Sequence, residues 1–380
     1  MSAYQVVISI VLLLAPIFAP ASDRCLADAV AHVSLTDVKG QIVLSVLTPA
    51  GVAQTQVLAS KQAGAARLSG AEGFRIASVT KTYVAATALR LYEAGKLDLT
   101  APISRLIAPE WVELLRKDGY DVDRITVRHL LSHTAGLADH ARTPQFIDAI
   151  KEHPQTEWTR QKSVQSLVEW TDPVAAPGAK FSYSDTGYIL LGSIIERITG
   201  QDLPRAVRAQ LNLDTRAPES YWERYEQPRG AARAHQTWEG RDTYDWNPSL
   251  DLFGGGGVVA SMHDVAVFFD ELLRGKVFAR PETLELMRAT TGLPADSPYG
   301  LGLFRYDFEG VQGFGHSGFW GTFVVYEPLS QRTIAGSVTD TSAWPVLKQL
   351  VGDYVRRAAK SAAPGAESRS ACTSADSAAG

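Results

Sequence analysis

Runs rich in β-branched and other apolar residues, bounded by turn signals, occur near both ends of the chain and are typical of β-strands. In residues 32–59, β-branched residues alternate with turn signals at Lys39-Gly40 and around Pro49, which predicts two or three antiparallel strands. Strand-like runs return towards the C-terminus as YGLGLFRYDF, GTFVVYEP and RTIAGSVTD. We therefore expect one sheet built from both ends of the chain.

The middle of the chain, from about residue 100 to residue 250, combines helical segments with loops. Just before it, RIASVTKTYVAATALRLYEAGKL (residues 75–97) has a partly helical rhythm with Gly95 as its expected end. YILLGSIIERITG also predicts a helix that ends in glycine, at Gly200. A final amphipathic segment, AWPVLKQLVGDYVRRAAK, predicts a helix before the C-terminal tail.

These patterns predict an α+β fold, an antiparallel sheet flanked by helices with a mostly helical region inserted. The expected divisions are a signal peptide (1–21), a sheet region (22–95 and 255–360), a helical insert (96–254) and a disordered tail (361–380).

The N-terminal apolar run is too short to cross a bilayer comfortably. Val6–Phe18 spans 13 residues and is followed by Ala19-Pro20-Ala21, a pattern typical of signal-peptide cleavage. We expect a secreted or periplasmic protein with no stable membrane span after cleavage. No Lys or Arg precedes the run, so an uncleaved anchor is the alternative.

Composition narrows the class of protein. The chain has 380 residues, 45% hydrophobic and 21% charged, with a net charge of −4, which favours a soluble globular protein and excludes the basic surplus expected of nucleic-acid partners. The two cysteines, Cys25 and Cys372, either pair in an oxidising compartment or leave Cys372 in a disordered tail. A lipidated cysteine should be preceded by small residues, but Asp23 and Arg24 precede Cys25, so we do not expect a lipoprotein.

Ser78 and Lys81 begin the helical segment, and residues at i and i+3 share one helix face. A serine hydroxyl is a weak nucleophile until a neighbouring group takes its proton, and a buried amine either accepts that proton or favours another base. By itself, S-x-x-K equally fits an N-cap serine followed by a solvated lysine.

Two further motifs occur in order along the chain. Tyr183-Ser184-Asp185 stands just before a predicted helix, and His316-Ser317-Gly318 leads into a predicted strand. With these, the chain resembles the serine β-lactamase and penicillin-binding-protein superfamily, in its branch of class C β-lactamases, D-Ala-D-Ala carboxypeptidases and esterases. That family carries S-x-x-K, Y-x-N and [KH]-[TS]-G. Residues 125–137 and 254–269 also resemble its connecting segments, so the resemblance covers roughly residues 70–340.

The resemblance implies a β-lactamase/transpeptidase-like fold and a set of roles. Ser78 is the acylated nucleophile, Lys81 its partner in proton transfer, and Tyr183 the base that later protonates the leaving group. The backbone N–H groups of Ser78 and Phe319 hold the oxyanion. The residues expected to bind substrate are Asp185, His316, Ser317, Gly318 and Phe319.

This chain departs from the family pattern at two places. Asp185 replaces the usual asparagine, and its carboxylate should keep Lys81 charged, which favours Tyr183 as the base. The Lys81 ammonium should in turn lower the pKa of Tyr183 below its usual value of about 10. Phe319 and Trp320 are bulky, so we expect a narrow cleft and weak recognition of a substrate carboxylate, which counts against penicillin turnover.

Other signals carry less chemistry. His129 and His133 have a zinc-like spacing without the glutamate of H-E-x-x-H, so we expect no metal and no cofactor. GHSGF lacks the last glycine of a G-x-S-x-G elbow, which argues against Ser317 as the nucleophile. The glycines 254–257 predict a close backbone approach near the cleft. One loop is rich in aromatic residues that either form core or wall the substrate pocket: Tyr221, Trp222, Tyr225, Trp238, Tyr244 and Trp246.

Together these features predict a secreted, metal-independent serine hydrolase that cleaves an ester or amide bond, including that of a D-amino-acid peptide, through an acyl-Ser78 intermediate. Its expected partner is a small-molecule or peptide substrate, which includes β-lactams. The alternatives are a β-lactamase, a penicillin-binding D-Ala-D-Ala carboxypeptidase and a non-catalytic binding module on the same fold.

Overall fold

A computed structural model describes residues 23–60, 66–295, 297–363 and 372 of the chain. The predicted signal peptide, residues 1–21, lies outside the described residues, as does most of the predicted tail. Within the described residues, no helix has the length and apolar character needed to cross a membrane.

Helices occupy both flanks of the sheet and most of the middle of the chain. The α-helices are α1 (Arg24–Ala31), α2 (Thr80–Glu93), α3 (Pro109–Lys117), α4 (Val127–Leu131), α5 (Pro144–Glu152), α6 (Arg160–Trp170), α7 (Asp185–Thr199), α8 (Leu203–Leu211), α9 (Leu213–Arg216), α10 (Met262–Leu273), α11 (Pro281–Arg288) and α12 (Trp344–Ala362). Short 3₁₀ turns span Ala77–Val79, Ile103–Arg105, His140–Arg142, Pro248–Asp251 and Thr341–Ala343.

The strands form one large sheet and two small ones. They are β1 (Gln41–Leu47), β2 (Ala53–Ala59), β3 (Phe74–Arg75), β4 (Tyr221–Trp222), β5 (Thr237–Trp238), β6 (Arg241–Asp242), β7 (Val258–Ala260), β8 (Phe304–Phe308), β9 (Val311–Gly318), β10 (Thr322–Glu327) and β11 (Arg332–Val338). The large sheet has the order β2-β1-β11-β10-β9-β8, and every pair in it is antiparallel. The prediction of one sheet built from both ends of the chain is therefore confirmed, and so is the α+β class.

Both faces of the central strands are covered, because helices pack on each side. In β1, Ile42, Leu44 and Val46 pack in a cluster with α1 and α12, whereas Val43 joins the larger core that contains α2, α7 and α10. This division follows from the two-residue period of a strand. It also explains why every residue of β1, β10 and β11 is buried.

Helix α2 lies inside the larger core, which accounts for its weak periodicity in the sequence. Every residue from Thr80 to Leu89 is buried, so no polar stripe is needed. The helix ends at Glu93, and Gly95 has a φ of 67°. Helix α7 ends at Thr199, followed by Gly200 with a φ of 68°. Both predicted glycine stops are confirmed, since glycine adopts the left-handed region without a steric cost.

The strand predicted to follow His316-Ser317-Gly318 is confirmed as β10, which begins at Thr322 after a short turn. The three residues themselves close β9, a strand that the sequence did not predict. The sequence of β9, VQGFGHSG, contains three glycines and lacks the β-branched alternation that would have marked it as a strand. The turn that follows contains Gly321, with a φ of 88°, and leads into β10.

Cys25 and Cys372 form a disulfide, with their Cα atoms 4.7 Å apart. The backbone N–H of Arg24 also donates a hydrogen bond to the carbonyl of Cys372, at 3.0 Å. Of the two alternatives left open by the sequence, the structure therefore has the one in which Cys25 and Cys372 pair. The boundaries of the helical insert, 96–254, remain a prediction.

Candidate active site

Ser78 stands on a sharp turn between β3 and α2. Ile76 donates its N–H to the carbonyl of Val258 at 3.0 Å, and Ala77 then takes a φ of 47°. A left-handed conformation is costly for a residue with a Cβ, by about 1–3 kcal/mol, and such residues cluster at functional sites. The turn brings Ser78 to the wall of a cavity of about 590 Å³.

Strand β9 holds this turn from the other side. A Cβ on Gly318 would lie 2.2 Å from the carbonyl oxygen of Ile76 and 3.2 Å from the Cβ of Ala77. Only glycine therefore allows the end of β9 to approach the backbone beside Ser78. This close approach brings the residue that follows, Phe319, to the same cavity as Ser78.

Lys81 is fully buried and places its Nζ among three acceptors. It donates to Ser78 Oγ at 2.9 Å and to the carbonyl of Gly255 at 2.6 Å, and it lies 2.5 Å from Asp185 Oδ1. An ammonium has three N–H donors, so this set matches the protonated form. Burial acts to lower the pKa of Lys81, but the charge of Asp185 outweighs it and the pKa is raised above its usual value. The expectation that Asp185 keeps Lys81 charged is confirmed in direction.

Tyr183 joins the same cluster. It lines the same cavity as Ser78, and Lys81 Nζ lies 5.1 Å from the centre of its ring. Burial raises the pKa of Tyr183 to about 12, although the charge of Lys81 and polar interactions with Ser78 and Lys81 act to lower it. The expected depression of this pKa below 10 is therefore wrong, because desolvation of the phenolate exceeds its stabilisation by Lys81.

The end of β9 presents a free edge to the cavity. Strand β10 pairs with β9 as far as Gly318, whereas β8 stops pairing at Gly315. Among the described residues, no strand pairs with the second edge of residues 316–318, and all three line the cavity. Unpaired backbone groups of a strand edge bind extended peptides well.

His316 brings no charge to this edge. Its Nδ1 lies 2.8 Å from the carbonyl of Ser317, which only accepts, so Nδ1 carries the proton. Its Nε2 then accepts the hydroxyl of Tyr299 at 2.9 Å. Burial lowers the pKa of His316 to about 3. The predicted substrate residue lines the cavity, but both of its ring nitrogens already have partners within the protein.

Both apolar and polar side chains line the cavity. Its large apolar members include Phe146, Ile147, Ile150, Trp238, Leu250, Phe319 and Trp344. Phe319 is 46% exposed, and its ring centre lies 5.2 Å from that of Trp238. Of the six aromatic residues of the loop singled out in the sequence, Trp238 alone is among the described residues that line this cavity.

The described residues that line the cavity include three carboxylates and one guanidinium. Asp185 pairs with Lys81, and Asp139 Oδ2 lies 3.3 Å from Arg142 Nε. Asp251 has no ion-pair or hydrogen-bond partner for its carboxylate among the residues that the structure describes. Burial raises the pKa of Asp251 to about 7, and the charge of Asp185 adds to the effect.

The predicted residues lie around this one cavity. Ser78, Tyr183, Asp185 and residues 316–319 line it, and Lys81 lies directly behind Ser78. Their individual roles remain predictions. Sequence reasoning missed several residues that take part in the site: Asp139, Arg142, Asp251 and the carbonyl of Gly255. Only for Gly255 did the sequence give an indication, because the glycine run 254–257 predicts a close backbone approach near the cleft.

A comparison with known protein families shows to which family this chain belongs. The family model described as Beta-lactamase matches residues 40–350 of the chain. The chain belongs to the Beta-lactamase family. This membership confirms the predicted superfamily and makes the protein an enzyme, a serine hydrolase.

Relatives of this Beta-lactamase family member carry names from peptide and amide chemistry. A protein of Salmonella agona (strain SL483), named putative D-alanyl-D-alanine carboxypeptidase, is 25% identical over 298 residues, which cover 69% of this chain and 68% of the relative. Among solved structures, a D-stereospecific amidohydrolase from Streptomyces sp. matches with a TM-score of 0.71 and 23% identity, covering 87% of this chain and 96% of its own.

A second solved structure, the D-amino acid amidase from Ochrobactrum anthropi SV3 complexed with L-phenylalanine, also has a TM-score of 0.71. It is 22% identical and covers 88% of this chain and 96% of its own. At these identities the two structures establish the fold, which is the predicted β-lactamase/transpeptidase-like one.

Proposed function

We propose that this protein hydrolyses the amide or ester bond of a small D-amino-acid derivative through an acyl-Ser78 intermediate. The observation that carries this proposal is the hydrogen bond from Lys81 Nζ to Ser78 Oγ, at 2.9 Å, at the wall of a cavity that Tyr183 also lines. The names of the relatives supply the D-amino-acid and amide chemistry.

In the acylation step, Ser78 Oγ forms a bond to the substrate carbonyl carbon. Because Lys81 is already an ammonium, the proton of Ser78 passes to the Tyr183 oxygen while the proton of Tyr183 passes to the leaving nitrogen or oxygen. The bond to the leaving group then breaks. A neutral tyrosine with a raised pKa suits this relay, since the phenolate never has to form alone.

Deacylation reverses the same relay. A water molecule attacks the acyl carbon and gives a proton to the Tyr183 oxygen, while the proton of Tyr183 returns to Ser78 Oγ. In both steps the negative charge grows on the carbonyl oxygen, which the N–H groups of Ser78 and Phe319 are proposed to hold. One such donor contributes about 3–4 kcal/mol to transition-state stabilisation.

The charges in the cavity favour a neutral or cationic substrate. Lys81 pairs with Asp185 and Arg142 with Asp139, which leaves Asp251 as the carboxylate without a cationic partner in the described lining. Because its pKa is raised to about 7, Asp251 carries its charge above about pH 7. An ammonium group beside Asp251 would gain an ion pair, whereas a carboxylate would need Arg142 to leave Asp139. This argues for a D-amino-acid amide or ester with a free amino group over a carboxypeptidase substrate or a penicillin.

A substrate panel tests the proposal. We expect the wild-type enzyme to turn over D-phenylalanine amide and a short acyl ester. L-phenylalanine amide, a D-Ala-D-Ala peptide and nitrocefin should react more slowly, and Ser78→Ala should turn over none of them.

A second comparison tests the contact between the substrate amine and Asp251. Acetylation of that amine should raise KM for the wild-type enzyme and change KM little for Asp251→Asn. Rapid nitrocefin opening would support the β-lactamase alternative, and peptide cleavage with stable penicillin labelling the carboxypeptidase. Wild-type rates no higher than those of Ser78→Ala would support a non-catalytic binding module.

The place of action is part of the proposal. We infer a secreted or periplasmic protein, supported by the disulfide between Cys25 and Cys372, since disulfides persist in oxidising compartments. Fractionation of cells that express the full chain tests this directly. Recovery of the oxidised protein outside the cytoplasm is expected, and a reduced cytoplasmic protein would contradict it.

A further inference from the structure

The segment around His133 forms hydrogen bonds with the residues that lead into α7. The carbonyl of His133 accepts the N–H of Ser182 at 2.7 Å, and its Nδ1 accepts the N–H of Ser184 at 3.1 Å. Both chain neighbours of Tyr183 are thus bonded to this single histidine. The next residue along the chain, Asp185, is also held: its N–H donates to Asp139 Oδ1 at 3.1 Å.

The ring of His133 also lies directly against Tyr183. The two ring centres are 4.1 Å apart, with 30° between the planes. His133 has a φ of 55°, in the left-handed region that residues other than glycine seldom adopt, although asparagine, aspartate and histidine do so more often than the rest. This backbone strain is offset by the contacts that the ring and the carbonyl make with residues 182–184.

The hydrogen bond to Ser184 fixes the tautomer. An N–H can only donate, so Nδ1 is an acceptor and the proton of the neutral ring sits on Nε2. The side chain is buried, and Nε2 has no hydrogen-bond partner among the described residues. Burial lowers the pKa of His133 well below its usual value, and the charge of Lys81 adds to the effect.

We propose that His133 is a positioning residue: its ring and carbonyl fix the phenol of Tyr183 over Ser78. This inference rests on the proposed function, in which Tyr183 relays a proton. Because His133 contacts Tyr183 and its two neighbours, its loss should displace the phenol without removing any reacting group. A displacement of about 1 Å at a reacting group costs about 100-fold in rate.

The test is a double-mutant cycle on kcat/KM for a short acyl ester. We expect His133→Ala to lower the rate about 10–100-fold when Tyr183 is present and to add little in a Tyr183→Phe background. His133→Asn should recover part of the loss, since asparagine tolerates a positive φ and its Oδ1 accepts a hydrogen bond. His133→Phe keeps the stacking but not the acceptor, so it separates the two contributions.

Two controls keep the outcome interpretable. His129→Asn changes the other histidine of the same segment, whose Nδ1 accepts the N–H of Thr126 away from the cavity, and it should leave the rate unchanged. Inhibition by the product D-phenylalanine, together with thermal unfolding, should show that each variant still folds and binds. A purely structural role would change these two measurements along with the rate.

The cycle separates failure of the inference from failure of the proposed function. If His133→Ala lowers the rate equally in both backgrounds, His133 does not act through Tyr183 and the inference is wrong. If Tyr183→Phe itself leaves the rate unchanged, the relay through Tyr183 is wrong, and the inference fails with it.

Discussion

Lys81 Nζ lies 2.5 Å from Asp185 Oδ1 at the buried side of the cavity. This ion pair keeps the lysine protonated, and a protonated lysine cannot take the proton of Ser78. The pair therefore supports the proposal that Tyr183 transfers the proton. Asp185 is also the residue at which this chain departs from the Y-x-N pattern of its family.

The first prediction concerns this pair. Asp185→Asn keeps an acceptor near Lys81 but removes the negative charge, so the pKa of Lys81 should fall. We expect the rate of Asp185→Asn to decline at alkaline pH where the wild-type rate is still level. Asp185→Ala leaves the ammonium without its partner and should cost about 3–5 kcal/mol of the free energy of unfolding in urea, more than Asp185→Asn costs. An Asp185→Asn rate that stays level over the same alkaline range as that of the wild type would contradict the role given to the charge.

The second prediction concerns the raised pKa of Tyr183, about 12. If neutral Tyr183 relays the proton, kcat/KM should show no inflection from this residue at neutral or mildly alkaline pH. Tyr183→Phe should lower kcat/KM by about 10²–10⁴. Tyr225→Phe, an exposed tyrosine outside the described lining of the cavity, is the matched control and should have no effect. A rate that rises with pH through the neutral to mildly alkaline range, and that loses this rise in Tyr183→Phe, would mean that the phenolate is the working form.

The third prediction concerns the pH dependence of stability. The pKa of Asp251 is raised to about 7 in the folded protein, so the folded state holds this proton more tightly than the unfolded state. The resulting stability is complete below the unfolded pKa of about 4 and is lost as the pH rises through about 7. Asp251→Asn removes this loss, and its gain over wild type in thermal unfolding should be larger at about pH 8 than at about pH 5.

The exposed Asp98 provides the control for Asp251. Hydrogen bonds from Thr100 lower its pKa, so Asp98 stays charged over that whole pH range. Asp98→Asn should therefore change stability equally at both pH values. An Asp251→Asn effect that is also equal at both would show that Asp251 does not titrate there.

The fourth prediction concerns the close approach at Gly318. Gly318→Ala places a Cβ 2.2 Å from the carbonyl oxygen of Ile76, so the end of β9 must move away from the turn that carries Ser78. We expect a loss of about 1–3 kcal/mol in stability and a larger loss in activity, because Phe319 moves with the strand. At Gly187, in α7, the nearest atom to a new Cβ is 3.7 Å away. Gly187→Ala should therefore be neutral or stabilise by up to about 1 kcal/mol, and an equal effect of both changes would refute the steric argument.

The fifth prediction concerns the disulfide. Replacing Cys25 by serine should lower the free energy of unfolding by about 2–4 kcal/mol. A reductant should lower the unfolding temperature of the wild type and leave that of Cys25→Ser unchanged. Wild-type protein that is insensitive to reductant would contradict a stabilising role for the bond between Cys25 and Cys372.

Much of the fold followed from local sequence patterns. The strands at both ends are rich in β-branched residues and bounded by turn signals, and Gly95 and Gly200 mark helix ends because their left-handed conformation excludes most other residues. Strand β9 was missed because it contains three glycines and few β-branched residues. The extent of burial around α2 depends on its neighbours from distant parts of the chain, which no local pattern contains.

The site was predictable where residue type carries the chemistry. A serine, a lysine and a tyrosine in ordered motifs indicate acyl transfer, and Ser78, Lys81 and Tyr183 do lie together. The carbonyl of Gly255 was not predictable as a partner of Lys81, because every residue has a carbonyl. The rise in the pKa of Tyr183 was missed because it depends on burial, which only the folded chain determines.

The assignment of Ser78 as nucleophile can be tested most directly by covalent labelling. A fluorophosphonate probe should react with the purified protein, and mass spectrometry of the digested adduct should place the phosphonate on Ser78, with no labelling of Ser78→Ala. An adduct on Ser317, or labelling that persists in Ser78→Ala, would contradict the central claim that Ser78, held by Lys81, is the nucleophile.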